Sequence, residues 1–141
     1  MIPTCILIRH DGSRHADAAF DDALDLEAPA GARPSVVAVA SPPEPPTEVE
    51  AAGALEAATR HDEELVANLR RRAEERHVPM ETHILVGHPA DQILRTAAAS
   101  RADLIVVGHR GRSPIREWVF GSTSRRIVAH ATCSVLVVRP R

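Results

Sequence analysis

The chain has 141 residues, of which 44% are apolar and 26% are charged, and its formal net charge is −2. This length and composition predict a single soluble globular domain over residues 1–141, and the near-neutral charge argues against a general nucleic-acid or anionic-membrane binder. No apolar run approaches the roughly 18 residues that span a bilayer, and residues 1–9 lack the apolar core of a signal peptide, so we expect a cytoplasmic protein.

The basic residues are all of one type. All 17 are arginine, because the sequence contains no lysine. A Walker-type phosphate loop needs its lysine, and Schiff-base chemistry needs one as well, so both classes are excluded. Any positive side chain that meets a phosphate in this protein must therefore be an arginine.

The amino-terminal stretch predicts a strand followed by a helix. Thr4–Arg9 is a short apolar strand, and we expect a helix from Arg14 to about Leu26 with Ser13 as its cap and with Pro29 and Gly31 at its end. The residues with helical spacing that we expect to face the core are Ala16, Ala19, Phe20, Ala23 and Leu24.

A second strand is predicted at Ser35–Ala40, and the four prolines within Ser41–Thr47 exclude a helix or an inner strand there. A long charged helix is predicted from Glu48 to about Arg76, followed by a third strand at Met80–Val86. The expected buried positions of the long helix are Val49, Ala52, Leu55, Leu65, Leu69 and Ala73.

The carboxyl-terminal part continues the alternation of helices and strands. Helices are predicted at about Ala90–Ser100 and Ser122–His130, and a last strand at Ser134–Val138. Between the two helices, Leu104–Val107 is an unbroken apolar, mostly β-branched run that stops at Gly108, which is typical of a parallel strand covered on both faces. The whole pattern predicts an α/β fold, a parallel sheet with helices on both faces.

Glycines and hydroxyls mark two candidate anion sites. Gly108 and Gly111 follow the buried strand, where positive φ angles would let backbone N–H groups face a bound anion. Gly121, Ser122 and Thr123 precede a helix, whose amino terminus attracts negative charge. Two such sites close together suit a polyphosphate, and four arginines concentrate positive charge beside them: Arg110, Arg112, Arg116 and Arg125.

Each of these features also has a plain structural interpretation. Glycines commonly shape turns, serine and threonine hydroxyls cap helices in empty proteins, and Asp11 can serve as a turn residue at the first helix. His10 and His109 each follow a strand, and the plain interpretation makes them solvent-facing loop residues rather than pH-sensitive ligand contacts.

Four sequence blocks resemble the universal stress protein family. They are Ile6–Ser13 (ILIRHDGS), Val86–Ala90 (VGHPA), the spacing Gly108-x2-Gly111-x9-Gly121-Ser122, and Ala131–Val138 (ATCSVLVV). The glycine spacing is similar to the signature of the family's ATP-binding members, and the blocks stand in the family's order over nearly the whole chain. Arg9-His10 is more polar than the family's usual approach to its aspartate.

The resemblance implies a Rossmann-like fold of the adenine nucleotide alpha hydrolase type, with strand order 3-2-1-4-5. The winding direction would then reverse between the first and fourth strands, so Asp11 and Gly108 would flank one crevice. By the same resemblance, Asp11 contacts the sugar or base of adenosine, and Val39 and Val107 line the pocket. The remaining site residues, which would meet the phosphates, are Gly108, Gly111, Arg112, Gly121, Ser122 and Thr123.

The resemblance also implies a function. We expect a stress-response or regulatory module that binds ATP, ADP or AMP, with Mg²⁺ or Mn²⁺ on the phosphates. It would form a homodimer through Val135–Val138 and act on an unknown protein partner, without nucleic acid or membrane. No catalytic residues stand out, so we expect at most slow ATP hydrolysis or autophosphorylation. The alternative is a nucleotide-free dimeric interaction module of the same fold.

Overall fold

The computed structural model of the chain describes residues 2–41, 48–110 and 120–141. Within these ranges strands and helices alternate. The strands are β1 (Cys5–Arg9), β2 (Arg33–Ala40), β3 (Glu81–Val86), β4 (Leu104–Gly108) and β5 (Ser134–Val138). The helices are α1 (Arg14–Ala30), α2 (Glu48–Glu75), α3 (Pro89–Ser100) and α4 (Ser122–His130).

The five strands form one parallel sheet of order β3-β2-β1-β4-β5, which confirms the predicted fold class. From β1 the chain winds outward to β2 and β3, and it then returns to the other side of β1 to form β4 and β5. The winding direction therefore reverses between β1 and β4. In parallel sheets of this kind, the crevice at such a reversal is where ligands bind.

Helices cover both faces of the sheet. One core contains Phe20 of α1 and Leu69 of α2 against Ile6, Ile8 and Val106. The other contains Ile93 of α3 and Ile127 of α4 against Leu7, Ile105 and Val107. Successive residues of a strand face opposite sides of a sheet, so β1 and β4 are buried on both faces, as the apolar run at residues 104–107 predicts.

Helix α1 is longer than predicted. Its expected core residues, among them Phe20 and Leu24, are all buried, and the Ala16 N–H donates to the Ser13 hydroxyl at 3.1 Å, so Ser13 caps the helix. However, the helix continues past Leu26 to Ala30. The helix therefore ends immediately before Gly31, whose φ of 66° is the left-handed conformation at which helices commonly end.

The predicted buried face of α2 is wrong at its amino-terminal end. Leu69 and Ala73 are buried, but Val49 is 84% exposed and Ala52 is also exposed. A helix of 28 residues is about 42 Å long, whereas strands of five to eight residues span about 17 to 27 Å. The sheet can therefore cover only part of this helix.

Candidate functional site

Three polar residues lie at the carboxyl end of β1 or directly after it. Ile6–Ile8 are fully buried, and Arg9, His10 and Asp11 follow. One carboxylate oxygen of Asp11 accepts the Ser13 N–H at 3.0 Å, and the other lies 3.5 Å from the Arg9 guanidinium. Burial raises the pKa of the Asp11 carboxyl, but Arg9 and the hydrogen bonds from Ser13 outweigh it, so the pKa lies below its ordinary value.

The bond from Ser13 shows that Asp11 also acts as a turn residue, as its plain structural interpretation expects. Asp11 forms an Asx-type turn that leads into α1, with Gly12 at a φ of 84°. This bond uses one oxygen of the carboxylate. Because an ionised carboxylate has about four lone-pair positions, the turn leaves acceptor capacity for a ligand.

His10 is buried rather than solvent-facing, so the plain interpretation of this residue is wrong. Its Nδ1 accepts the Gly12 N–H at 3.0 Å, which assigns the ring proton to Nε2, and Nε2 donates to Asp17 at 2.9 Å. Burial lowers the pKa of His10, and Asp17 only partly offsets that effect. Both ring nitrogens thus hold the β1–α1 turn in place.

The end of β4 does not have the predicted backbone conformation. Gly108 is the last residue of the strand and does not have a positive φ. A Cβ at this position would lie 2.7 Å from the backbone carbonyl carbon of His15 in α1. Glycine is required there because helix and strand approach closely, and its carbonyl accepts the buried Ser124 hydroxyl at 2.7 Å.

Backbone hydrogen bonds join His109, which follows β4, to β5 and to the start of α4. The His109 N–H donates to Val138 of β5 at 2.8 Å, and the His109 carbonyl accepts the Gly121 N–H at 2.9 Å. The rings of His109 and Phe120 lie 5.2 Å apart, and His109, like His10, is buried instead of facing solvent. Gly121 is thereby held beside the sheet.

The first turn of α4 lies on the crevice side of the sheet. Gly121 is the N-cap, with φ −61° and ψ 145°, and its carbonyl accepts the first helical bond from the Arg125 N–H at 2.9 Å. The predicted capping by the Ser122 and Thr123 hydroxyls is wrong, because the cap is a residue without a side chain. Their amides lie in the first turn, where a helix attracts an anion.

A cavity of about 430 Å³ lies where these elements meet, at the carboxyl edge of the sheet. It has a floor of β1 and β2 residues, one wall from α2 and another from the start of α4. Its lining residues are Arg9, Asp11, Val39, Ala40, Ser41, Ala58, His61, Asp62, Gly121, Ser122, Thr123 and Ser124.

The cavity brings together five of the nine predicted site residues, Asp11, Val39, Gly121, Ser122 and Thr123. Val107 and Gly108 are buried and are not among its lining residues. Gly111 and Arg112 lie outside the described residues, as do Arg116 and the prolines of residues 42–46.

Sequence reasoning missed the contribution of α2 and of Arg9. Ala58, His61 and Asp62 have the i, i+3, i+4 spacing of one helix face, and Asp62 is a buried carboxylate. The spacing was visible in the sequence, but the rotation of α2 about its axis was not. Arg9 was visible as a charged residue at the end of an apolar strand.

Within the part of the chain that the structure describes, no three His, Cys, Asp or Glu side chains cluster in a way that could hold a metal ion. No helix in those ranges combines the length and the apolar character that a membrane crossing requires.

Comparisons with known sequences find one family. The chain matches the model of the Universal stress protein family over residues 5–139. It is 34% identical over 137 residues to a putative universal stress protein of Staphylococcus haemolyticus, which covers 95% of this chain and 83% of that relative. The chain spans about half the length, 45% to 51%, of several other curated stress proteins that it matches.

Comparisons with solved structures find the same fold. The universal stress protein UspA from Lactobacillus plantarum is 27% identical with a TM-score of 0.89, covering 96% of this chain and 97% of that one. The universal stress protein from Archaeoglobus fulgidus in complex with dAMP is 24% identical with a TM-score of 0.61, covering 98% and 99%. The family match, the full-length relative and the shared fold lead to one conclusion: the chain belongs to the universal stress protein family.

Proposed function

We propose that this chain binds ATP, or the related nucleotides ADP or AMP, in the cavity at the carboxyl edge of its sheet. The observation that carries the proposal is that the start of α4, Gly121–Ser124, lines the same cavity as Asp11 and Val39. A volume of about 430 Å³ lies within the range of about 300 to 1,000 Å³ that small-molecule sites have. The family relative from Archaeoglobus fulgidus whose structure contains dAMP also supports an adenine nucleotide.

The phosphates would meet the amides of Ser122 and Thr123, which carry the positive end of the α4 dipole. Asp11 would accept hydrogen bonds from the sugar, and the backbone at Val39 would face the base. Gly108, Gly111 and Arg112 remain proposed phosphate contacts, and Val107 a proposed contact of the nucleoside. Mg²⁺ or Mn²⁺ would accompany the phosphates.

The biological role that we propose is a stress-response or regulatory module whose nucleotide state is sensed by a protein partner. The module would be a homodimer that pairs through β5, whose outer edge is not covered by another strand within the described ranges. Any ATP hydrolysis or autophosphorylation would be slow, since the sequence offers no evident pair of nucleophile and general base. The cytoplasmic location remains a prediction from the sequence.

Substitution of the α4 N-cap tests the proposal. We expect Gly121→Val to weaken ATP binding by at least about tenfold, because a branched side chain would occupy the cavity entrance to the amides. The φ of −61° at Gly121 is open to any residue, so the fold should persist. Isothermal titration with ATP measures the affinity, and circular dichroism checks the fold.

The matched control is Gly53→Val, since nothing lies within 4 Å of a Cβ at Gly53 and that residue is outside the cavity. It should bind ATP as the natural sequence does. If Gly121→Val leaves the affinity unchanged, the start of α4 does not hold the phosphates. If the natural sequence binds no adenine nucleotide, the alternative of a nucleotide-free interaction module is favoured.

A further inference from the structure

Arg9 is an unusual residue for the end of a central strand. It follows three fully buried aliphatic residues of β1 and lines the floor of the cavity, and its side chain is only 11% exposed. Burying a guanidinium is unfavourable unless it has a polar or charged partner. One such partner is Asp11, whose carboxylate lies 3.5 Å away and is 16% exposed.

The two oxygens of the Asp11 carboxylate have different partners. Oδ1 accepts the backbone N–H of Ser13 at 3.0 Å, and Oδ2 lies against Arg9. These two contacts fix the orientation of the carboxylate. The Ser13 hydroxyl also bonds to the carboxylate, so of its roughly four lone-pair positions about one then remains, which suits a hydroxyl donor of a sugar.

We propose, on the basis of the nucleotide function proposed above, that Arg9 is a positioning residue. It holds the Asp11 carboxylate in the orientation in which it accepts a hydrogen bond from the 2′ or the 3′ hydroxyl of a bound nucleotide. The site thereby selects ribonucleotides over nucleotides that lack these hydroxyls. Hydrogen bonds to an ionised acceptor are roughly twice as strong as those between neutral groups, so the loss of charge on Asp11 would reduce the selection.

The charges around Asp11 come from several elements. Arg9, the last residue of β1, and His10 precede it in the chain, and His61 and Asp62 face the cavity from α2. The amino terminus of α4 forms the wall beyond them. The Arg9 guanidinium is in direct contact with Asp11, and it lowers the pKa of the carboxyl against the opposing effect of burial.

The test compares ATP with 2′,3′-dideoxy-ATP, because their phosphates titrate alike and the ratio of their affinities reports only the sugar. We expect the natural sequence to prefer ATP by about tenfold, with little change in the ratio between about pH 8 and pH 5. Arg9→Gln should reduce the preference to about threefold or less, and the ratio should fall further toward pH 5 as the pKa of Asp11 rises.

Three controls separate positioning from other roles. Arg33→Met removes the same charge at the exposed start of β2, at the opposite end of the strand from the cavity, and should leave the ratio unchanged. In an Asp11→Ala background, Arg9→Gln should have no further effect on the ratio. Arg9→Lys keeps the charge and should retain a low pKa at Asp11, which provides a second variant if Arg9→Gln fails to fold.

Equal weakening of ATP and dideoxy-ATP by Arg9→Gln would overturn the proposal and would assign Arg9 to the phosphates or to the fold. A natural sequence that binds neither nucleotide contradicts the proposed function itself. In that case ¹³C NMR titration of the Asp11 carboxyl still tests the positioning. A midpoint that is the same in Arg9→Gln as in the natural sequence would refute it.

Discussion

The turn after β1 contains a buried histidine, His10, whose protonation depends on pH. His10 is 1% exposed, and its two ring nitrogens bond to Gly12 and Asp17. We predict that NMR titration of the His10 ring, assigned by its absence in His10→Gln, gives a midpoint below the ordinary value of about 6.5. The cause is burial, which disfavours the imidazolium.

This lowered pKa has a defined consequence for stability. As the pH falls through about 6.5, the unfolded chain takes up a proton at His10 before the folded chain does, so the free energy of unfolding decreases. His109, whose pKa is also lowered by burial, acts in the same direction. The lowered pKa values of Asp11 and Asp17 act only in more acidic solution. A midpoint for His10 above 6.5 would show that Asp17 outweighs burial.

Glycine positions were predictable from the sequence, but the reason for one of them was not. The sequence indicated that residue 108 needs to lack a Cβ, and we attributed this to a positive φ. The structure instead shows an extended residue that lies against the backbone of His15. At the start of α4 the cap is Gly121 rather than a serine or threonine hydroxyl. Close approach between elements is a tertiary property, and a local sequence pattern does not contain it.

At the scale of elements, one arginine connects α2 to α1. The Arg72 guanidinium contacts Asp17 at 2.9 Å and Asp21 at 2.7 Å, and it lies 5.0 Å from the centre of the Phe20 ring. Its side chain is 32% exposed, so water screens both ion pairs. Exposed pairs contribute about 0.2 to 1 kcal/mol each, and the ring contact adds about 0.5 to 1 kcal/mol.

We predict that Arg72→Ala lowers the free energy of unfolding by about 1 to 2 kcal/mol. Urea denaturation at neutral pH measures this change. The control is Arg71→Ala, an exposed neighbour on the same helix, which should change stability by no more than about 0.5 kcal/mol. Equal effects of the two substitutions would mean that the contacts of Arg72 make no net contribution.

For α2, the sequence predicted the bounds of the helix better than it predicted which of its residues are buried. Its existence and bounds followed from helical spacing, and the burial of Leu69 and Ala73 was predicted correctly. The exposure of Val49 was not, since an apolar stripe on a long helix does not reveal how much of it the sheet covers. The placement of His61 and Asp62 in the cavity wall depends on that same geometry.

At the scale of the whole molecule, the sequence predicted the fold more completely than it predicted the individual contacts. Alternating strand and helix patterns predicted the layers, and the resemblance to the universal stress protein family supplied the strand order, which the sheet confirms. The order places the ends of β1 and β4 side by side, so the location of the crevice followed from topology alone. Its lining did not, because four elements distant in sequence contribute to it.

The most direct test of the account is a crystal structure of the protein with bound ATP. We predict that the triphosphate lies within hydrogen-bond distance of the Ser122 and Thr123 amides, with the ribose against Asp11 and the base beside Val39. A nucleotide bound elsewhere on the molecule, or a cavity that stays empty in crystals grown with saturating ATP, would contradict the account.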